Sequence, residues 1–531
     1  MTRAGETAPR YPVRRPLLVG AIALGLTGCA ASSLSLAPET PLTPHRPAVE
    51  ATDEAPPVTR AAPPDEARRG PDFGLPGDPT LPIDLPRPVI RKGHVHSLPE
   101  LIDIAQTTNP TTRAAWERAR QAALAVGMAE ATYLPVISAD AVAGYERTSQ
   151  PAAGFSVGSP PAGLTVPPGT VTAEGRQVMP TATVKWLLFD FGGRAAVIEE
   201  AKQATIAADV SFNGSHQKLI WEVARAFHRH TFARARLAIA RRTLANTQVL
   251  AEAAKARFAR GVGTSIEVAQ ARQQVAQAEL GLTRATGGVT DVHRGLLEAM
   301  GVAPTLEIAV EDVSARPLPK APSVDLDRLV ETALRRRPDV QAAFARLKAD
   351  KAGIDRAKSE FLPKISLIGN VGRDYGTYTL SDSRLSVAAR HSTGGTDAGL
   401  LLGMKIPIYD GGLRDAQVKA AESRAAAAAD DLAKLQNEGA REIVVAYDTL
   451  RTSLAAHAAA SELVAAATIT ADGARAAYRN GLGSLSDAIT AETGLLQARL
   501  AKAEAHADAL VAATTIAFAT GDLTNRAAPP R

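Results

Sequence analysis

Few residues of this 531-residue chain have the types and spacing that chemistry needs, and those few argue against catalysis. Asp190-Phe191-Gly192 spells the kinase triplet, but no glycine-rich phosphate loop, strand lysine or catalytic-loop motif accompanies it. It reads instead as a turn from strand to helix. Gly261-x-Gly263 lacks a third glycine and follows a helical stretch, so it is no dinucleotide-binding fingerprint. His228 and His230 stand two apart, on different helix faces and without neighbouring ligands, which predicts solvated side chains and no metal site. Nucleophile elbows and paired carboxylates in a credible pocket are lacking. The sequence reads as no enzyme, with no cofactor. What remains is one thiol, Cys29, which excludes an intramolecular disulfide framework.

The surroundings of Cys29 give it a role. Arg14 and Arg15 precede an apolar run from Leu17 to Leu26, and small residues follow. That order is a secretory signal, too short to span a bilayer. Leu26-Thr27-Gly28-Cys29 resembles the lipobox of bacterial lipoproteins, which implies cleavage after residue 28 and lipid on the Cys29 thiol and new amino terminus. The signal is expected over 1–28. Proline recurs through about 37–92 without apolar periodicity, so 29–97 is expected to be an extended tether.

The body is duplicated, and that organises everything else. Asn109-Pro110 with Trp116 parallels Arg337-Pro338 with Phe344, and Tyr133-Leu134-Pro135 parallels Phe361-Leu362-Pro363 at the same separation. Further on, Phe189-Asp190-Phe191-Gly192-Gly193-Arg194 parallels Tyr409-Asp410-Gly411-Gly412-Leu413-Arg414, and Phe258 to Thr264 parallels Tyr478 to Ser484, at a second, shorter separation. The change falls in Gly/Pro/Ser-rich stretches near 146–177 and 376–398, read as surface loops. The repeats are expected at 98–302 and 326–522, with a linker over 303–325 and a disordered tail over 523–531.

Each repeat reads as helix, strand, loop, strand, long helix, turn, helix. Aromatics are only 4% and alanine dominates, which suits long helices in close contact. The net charge of +5 is small and interleaved, so no nucleic-acid footprint is read. A helix over 194–260 would be ~100 Å long, and helices over 98–131 and 264–300 stacked end to end would match it. The second copy repeats this with 414–480, 326–360 and 484–520.

Strand pairs are expected within 136–189 and 364–409. Ile365, Leu367, Gly369 and Val371 alternate with Lys364, Ser366, Ile368 and Asn370, and Leu400, Leu402 and Met404 form an apolar face. Tilted transmembrane strands of about ten residues show this pattern, and so does a sheet on a soluble core. Stoichiometry separates them. Four strands cannot close a barrel, and an open sheet in lipid leaves edge groups unsatisfied. Membrane-spanning strands would therefore belong to a barrel shared between chains, twelve strands from three copies.

These features together resemble the TolC-like outer-membrane efflux and secretion channels: two repeats, Leu-Pro entering each first strand, an aromatic-Asp-x-Gly exit from each second strand, and a Gly-x-Gly-Thr/Ser turn between paired helices. The resemblance covers most of 98–522. It implies a mainly α fold with membrane β: a homotrimeric 12-stranded barrel in the outer membrane, four strands per chain, continuous with a long helical barrel through the periplasm. It also implies a lipid-anchored protein partnered with a periplasmic adaptor and an inner-membrane pump. By the same resemblance, Gly261, Val262, Gly263, Thr264, Gly481, Leu482, Gly483 and Ser484 are expected to form the tip that meets the adaptor. Asp487 matches the family's acidic periplasmic gate, while Thr490 stands where some relatives carry a second aspartate.

Turn chemistry alone also accounts for the tips, since Thr264 with Glu267 and Ser484 with Asp487 have the form of capping boxes. Two other functions fit the residues so far. One is polypeptide export by a type I system, which the same duct would serve. The other is a lipid-anchored adhesive or structural coiled-coil trimer, which predicts one continuous heptad helix per repeat.

Overall fold

The computed structural model describes residues 75, 77–90, 93–158, 163–320, 325–384 and 387–523. The expected signal, Cys29 and most of the tether lie outside these. The chain divides into two units at Asp84 and Leu85. The first contributes a turn in which Thr80 N and Oγ1 donate to Asp78 Oδ1 at 2.9 and 2.7 Å. All that follows concerns the second.

The second unit opens with β1 (Val95–His96) and α1 (Leu98–Thr108), which a capping box starts: Glu100 Oε2 accepts from Ser97 N at 2.8 Å and from its Oγ at 3.1 Å. Leu98, Leu101, Ile102 and Ala105 form its buried stripe at helical spacing. The single helix expected over 98–131 is in fact two. Pro110 has no N–H and pushes Asn109 out of helical geometry, to ψ 124°, and the Asn109 side chain then caps α2 (Pro110–Ala131). The second copy breaks in the same way at Arg337, also extended at ψ 125°, between α5 (Leu326–Arg336) and α6 (Pro338–Ser359).

Then come β2 (Val136–Ala152), a small hairpin of β3 (Phe155–Val157) and β4 (Leu164–Val166), and β5 (Gly169–Phe189). The 67-residue α3 (Gly193–Ala259) follows, and α4 (Ser265–Met300) returns beside it. After β6 (Ala309–Val310), α5 and α6 lead into β7 (Lys364–Asp382), β8 (Val387–Lys405), the 67-residue α7 (Leu413–Arg479) and α8 (Leu485–Ala519). At 1.5 Å per residue each long helix extends ~100 Å.

Lateral packing is a single row of columns. Nearer the sheet, α3 lies between α2 and α6, and α6 also packs on α7. Farther along, α3 packs on α4 and α8, and α8 on α7. Alanine makes the contacts: Ala207 meets Ala342 and Ala345, and Ala251, Ala254, Ala271 and Ala488 cluster with Leu250, Leu485 and Tyr478. Small side chains let the backbones approach, so the wall is thin yet packed. One window of α7 reaches a mean hydropathy of 1.3, which by length and composition would suit a membrane span. Its first turn is tied through Arg414 to Asp410 and Pro407, just past β8, and Tyr478 near its far end packs with Leu485 and Ala488 of α8, which places the helix in the wall.

Three boundary expectations change. Residues 85–90 and 93–97, read as tether, belong to the body: Pro86 O accepts from Ala303 N at 3.0 Å, Ile90 packs on the core, and β1 pairs in parallel with β6. The first part of the 303–325 linker also belongs to that core, which joins Val302, Ile308, Val310 and Val313 to α1, α3 and α4. Of the expected disordered tail, Leu523 packs against the same cluster, and 524–531 lie outside the described residues. The linker also explains why His228 and His230, expected to be solvated, are only 3% and 5% exposed. It covers their stretch of α3, where Arg234 donates to Val310 O at 2.8 Å.

The sheet has the order β2-β5-β7-β8, antiparallel throughout. Its strands have 17, 21, 19 and 19 residues, about twice the expected length. Of the Gly/Pro/Ser-rich stretches read as loops, residues 146–152, 169–177, 376–382 and 387–398 are the outer halves of these strands. Their backbones pair although their side chains are mostly polar, so no sustained apolar alternation betrays them.

Candidate channel wall and helical tips

Cross-strand partners share a face, so the register sorts the sheet into two surfaces. Trp186, Leu367 and Leu402 are partners in one row, and Ile137, Val184, Gly369 and Leu400 in the next. Ala139, Ala182, Val371 and Ala398 complete this face, with Ile365 opposite Met404 below and Tyr375 opposite Val178 above. From Ile365 to Tyr375 is about ten residues, ~33 Å along the strand and ~25 Å after barrel tilt, the height of an outer-membrane apolar band. Aromatic residues flank that band, Trp186 and Phe189 on one side and Tyr145 and Tyr375 on the other. Arg373 lies over the Tyr375 ring at 4.9 Å, an arrangement suited to a headgroup boundary.

The opposite face is the more polar one, although Val136, Ile368 and Leu401 share a row on it with Lys185. One row is Ser138, Thr183, Asn370 and Gly399, and the next is Asp140, Thr181, Gly372 and Asp397, with Lys185 nearby. A sheet with lipid-like residues on one face and water-like residues on the other is a piece of pore wall. Its outer strands, β2 and β8, have no further partner among the described residues.

Each second strand meets its long helix at an ion pair, buried in the first copy and more open in the second. Arg194 and Asp190 are 3.4 Å apart, with side chains 9% and 10% exposed. Arg194 Nη1 donates to Leu187 O at 2.6 Å and to Thr132 O at 3.2 Å, Nη2 donates to Leu188 O at 3.1 Å, and the guanidinium covers the Tyr133 ring. Arg414 repeats this with Asp410 at 2.6 Å, Pro407 O and Glu360 O, over Phe361. The kinase-like triplet is thus the turn in front of α3, where Phe191 is held at φ +53° and the second copy has Gly411 at φ +70°. The conserved spacing between aspartate and arginine was visible in the duplication. The carbonyls that bind the arginine were not.

At the far end, both helix pairs turn as expected. Gly261 (φ +76°) and Gly481 (φ +78°) take the left-handed geometry that ends α3 and α7. Thr264 Oγ1 then accepts from Glu267 N at 3.2 Å, and Ser484 Oγ accepts from Asp487 N at 3.1 Å, starting α4 and α8. Val262 is 62% and Leu482 85% exposed at the apices, beside Gly263 and Gly483. Asp487 is exposed and shares its Oδ2 with Ser484 N and Oγ, so it both caps the helix and presents charge; Thr490 is exposed as well.

The structure joins the two tips through residues that sequence reading missed. Arg257 lies over the buried Tyr478 ring and donates to Tyr478 O at 3.3 Å and to Val262 O at 3.2 Å. Glu492, 6% exposed, is bonded by Arg475 and accepts from Asn246 Nδ2 at 3.1 Å, tying α3, α7 and α8. A buried carboxylate must be paired. Only its residue type was visible in sequence, because its partners lie in other elements.

A family model described as outer membrane efflux protein matches residues 101–302 and 329–522, the two repeats. Protein CyaE of Bordetella pertussis is 27% identical over 409 residues, 76% of this chain and 79% of that protein. Outer membrane efflux protein BepC of Brucella suis is 25% identical over 339 residues, 64% of this chain and 71% of that protein. Cation efflux system protein CusC of Escherichia coli K12 is 26% identical over 321 residues, 58% of this chain and 65% of that protein. A crystal structure of CusC matches with a TM-score of 0.65 at 20% identity, covering 85% of this chain and 99% of that one. That likeness identifies the fold.

Proposed function

The chain belongs to the outer membrane efflux protein family, and from that premise we propose that three copies close into the exit duct of a tripartite efflux system. The observation that carries this reading is the four-stranded sheet with one apolar face and two bare edges. Such a sheet is unsatisfied in lipid by several kcal/mol per exposed backbone group. Three copies supply twelve strands, a closed barrel within the range that membranes accept. The helical columns continue the same strip and would close with it.

The duct conducts passively, and its energy and gating signal come from partners. The exposed apices Val262 and Leu482, with Gly261, Gly263, Thr264, Gly481, Gly483 and Ser484, are the surface we assign to a periplasmic adaptor, itself joined to an inner-membrane pump. Asp487, repeated three times about the axis, would form an anionic ring at the mouth. Cys29, after removal of residues 1–28, would carry the lipid that holds the trimer to the outer membrane. CusC is by its name a cation-efflux protein, which favours small cargo over polypeptide export. The coiled-coil adhesin has no use for a two-faced sheet.

Deletion of the gene is expected to sensitise the cell to dyes, detergents, antibiotics or metals while its secreted proteins persist. Loss of one exported polypeptide with unchanged tolerance would overturn the efflux reading. In planar bilayers Asp487→Ala is expected to raise conductance or weaken block by divalent cations. Like charges in a narrow ring attract cations and resist closure, so unchanged conductance and block would remove Asp487 from the gate.

A further inference from the structure

Midway along the helical wall, a cavity of about 280 Å³ lies between α3, α7 and α8, with Ser314 of the linker on its rim. Arg242, Arg499 and Lys502 line it together with His228, His457 and His506, and no aspartate or glutamate does. Glu492 and Asp472 offset part of the Arg499 charge from outside the cavity lining, but both carboxylates bond Arg475. Burial, and then the positive charge of Arg242, hold the Arg499 guanidinium below its ordinary value. Like charges gathered in a partly dry space repel one another unless something neutralises them.

The imidazoles add a second observation. His228 is 3% exposed, and its Nδ1 has no hydrogen-bond partner. Burial, helped by Arg316 and His506, pushes its pKa down to about 4, so the ring is neutral near pH 7. His506 Nε2 lies 2.8 Å from Arg316 O and must donate to it, because a carbonyl only accepts. Its ring is 5.5 Å from that of His457. The cations, without ion-pair partners among the described residues, call for a ligand that brings negative charge and several acceptors, and His228 Nδ1, in the tautomer that carries its proton, is a buried donor still free to meet one of them.

We propose that this cavity binds a small multivalent oxyanion, a phosphate or a polycarboxylate, on Arg242, Arg499 and Lys502, with the three histidines around it. Such an anion would bridge three helices of the wall at the level of the linker, and would therefore bind the folded chain and stabilise it. The proposal does not depend on what the duct carries.

The test is the thermal unfolding midpoint of the detergent-purified full-length protein at pH 7, titrated separately with inorganic phosphate and with citrate, against sodium chloride at equal ionic strength. The midpoint is expected to climb with phosphate or citrate and not with chloride. Which of the two acts at lower concentration identifies a phosphorylated or a carboxylate ligand. In Arg499→Gln and Lys502→Gln the half-saturating concentration should rise roughly tenfold, the usual weight of one hydrogen bond to a charged group. Arg242 is exposed, so Arg242→Gln carries the test if burial makes Arg499→Gln fail to fold. An equal response to chloride, no response to either anion, or an undiminished response in Arg242→Gln and Lys502→Gln would overturn the proposal.

Discussion

Leu400→Arg is expected to keep the channel out of the outer membrane, whereas Leu401→Arg, one residue along, leaves trimers in place. In the single chain the two leucines are 71% and 65% exposed, so exposure does not separate them. Register does. Leu400 pairs with Gly369 on the apolar face, and Leu401 pairs with Ile368 on the face that carries Asn370 and Asp397. Arginine at the lipid midplane of a barrel costs about 2–4 kcal/mol, and a homotrimer incurs that cost three times. On the lumen side the same charge meets water, so its effect falls on conductance. Trimer yield in the outer-membrane fraction, read by crosslinking, checks this. Equal yields, or loss of the Leu401→Arg protein instead, would mean that the faces are assigned the wrong way round.

The second large effect is expected at the joint between sheet and helices. Arg194→Met takes the charge partner from Asp190, whose side chain is 10% exposed and keeps only the residue-194 backbone N–H, and leaves the carbonyls of Thr132, Leu187 and Leu188 without their donor. Removing one partner of a buried pair costs about 3–5 kcal/mol, because the remaining charge has nowhere to go. Arg414→Met should cost less, since Asp410 is 27% exposed and water can take over part of its solvation. Denaturant unfolding of the two variants checks the ranking. Equal losses would show that burial does not set the difference, and losses below about 1 kcal/mol in both would make these pairs ordinary surface contacts.

Much of this architecture was legible because it is written twice. Leu134-Pro135 and Leu362-Pro363, the aspartate turns and the glycine tips recur in the same order, and the inner halves of the strands alternate apolar and polar residues. The outer strand halves were not legible, because the ladder is made by backbone groups and their mostly polar side chains leave no apolar trace. The breaks at Asn109 and Arg337 were visible as X-Pro pairs, and it was the even helical composition on either side that suggested continuity. The interlocking charges had no local signal. Arg257 reaches a carbonyl 221 residues away and Asn246 a carboxylate 246 away, and nothing near them in sequence forecasts either partner. For His228 and His230 the deciding element was the linker that covers them, itself read as structureless.

The two 67-residue helices have one more implication. Inserting a single residue into an α-helix advances everything beyond it by 1.5 Å and turns it by about 100°. An insertion in α3 alone would therefore leave one apex lower than the other and rotate half the alanine contacts away from α4 and α8. The span of the duct can lengthen or shorten only by compensated steps in both copies, ideally in whole turns. Its reach across the periplasm behaves as a fixed dimension of the cell envelope, inherited by both halves of the duplication at once.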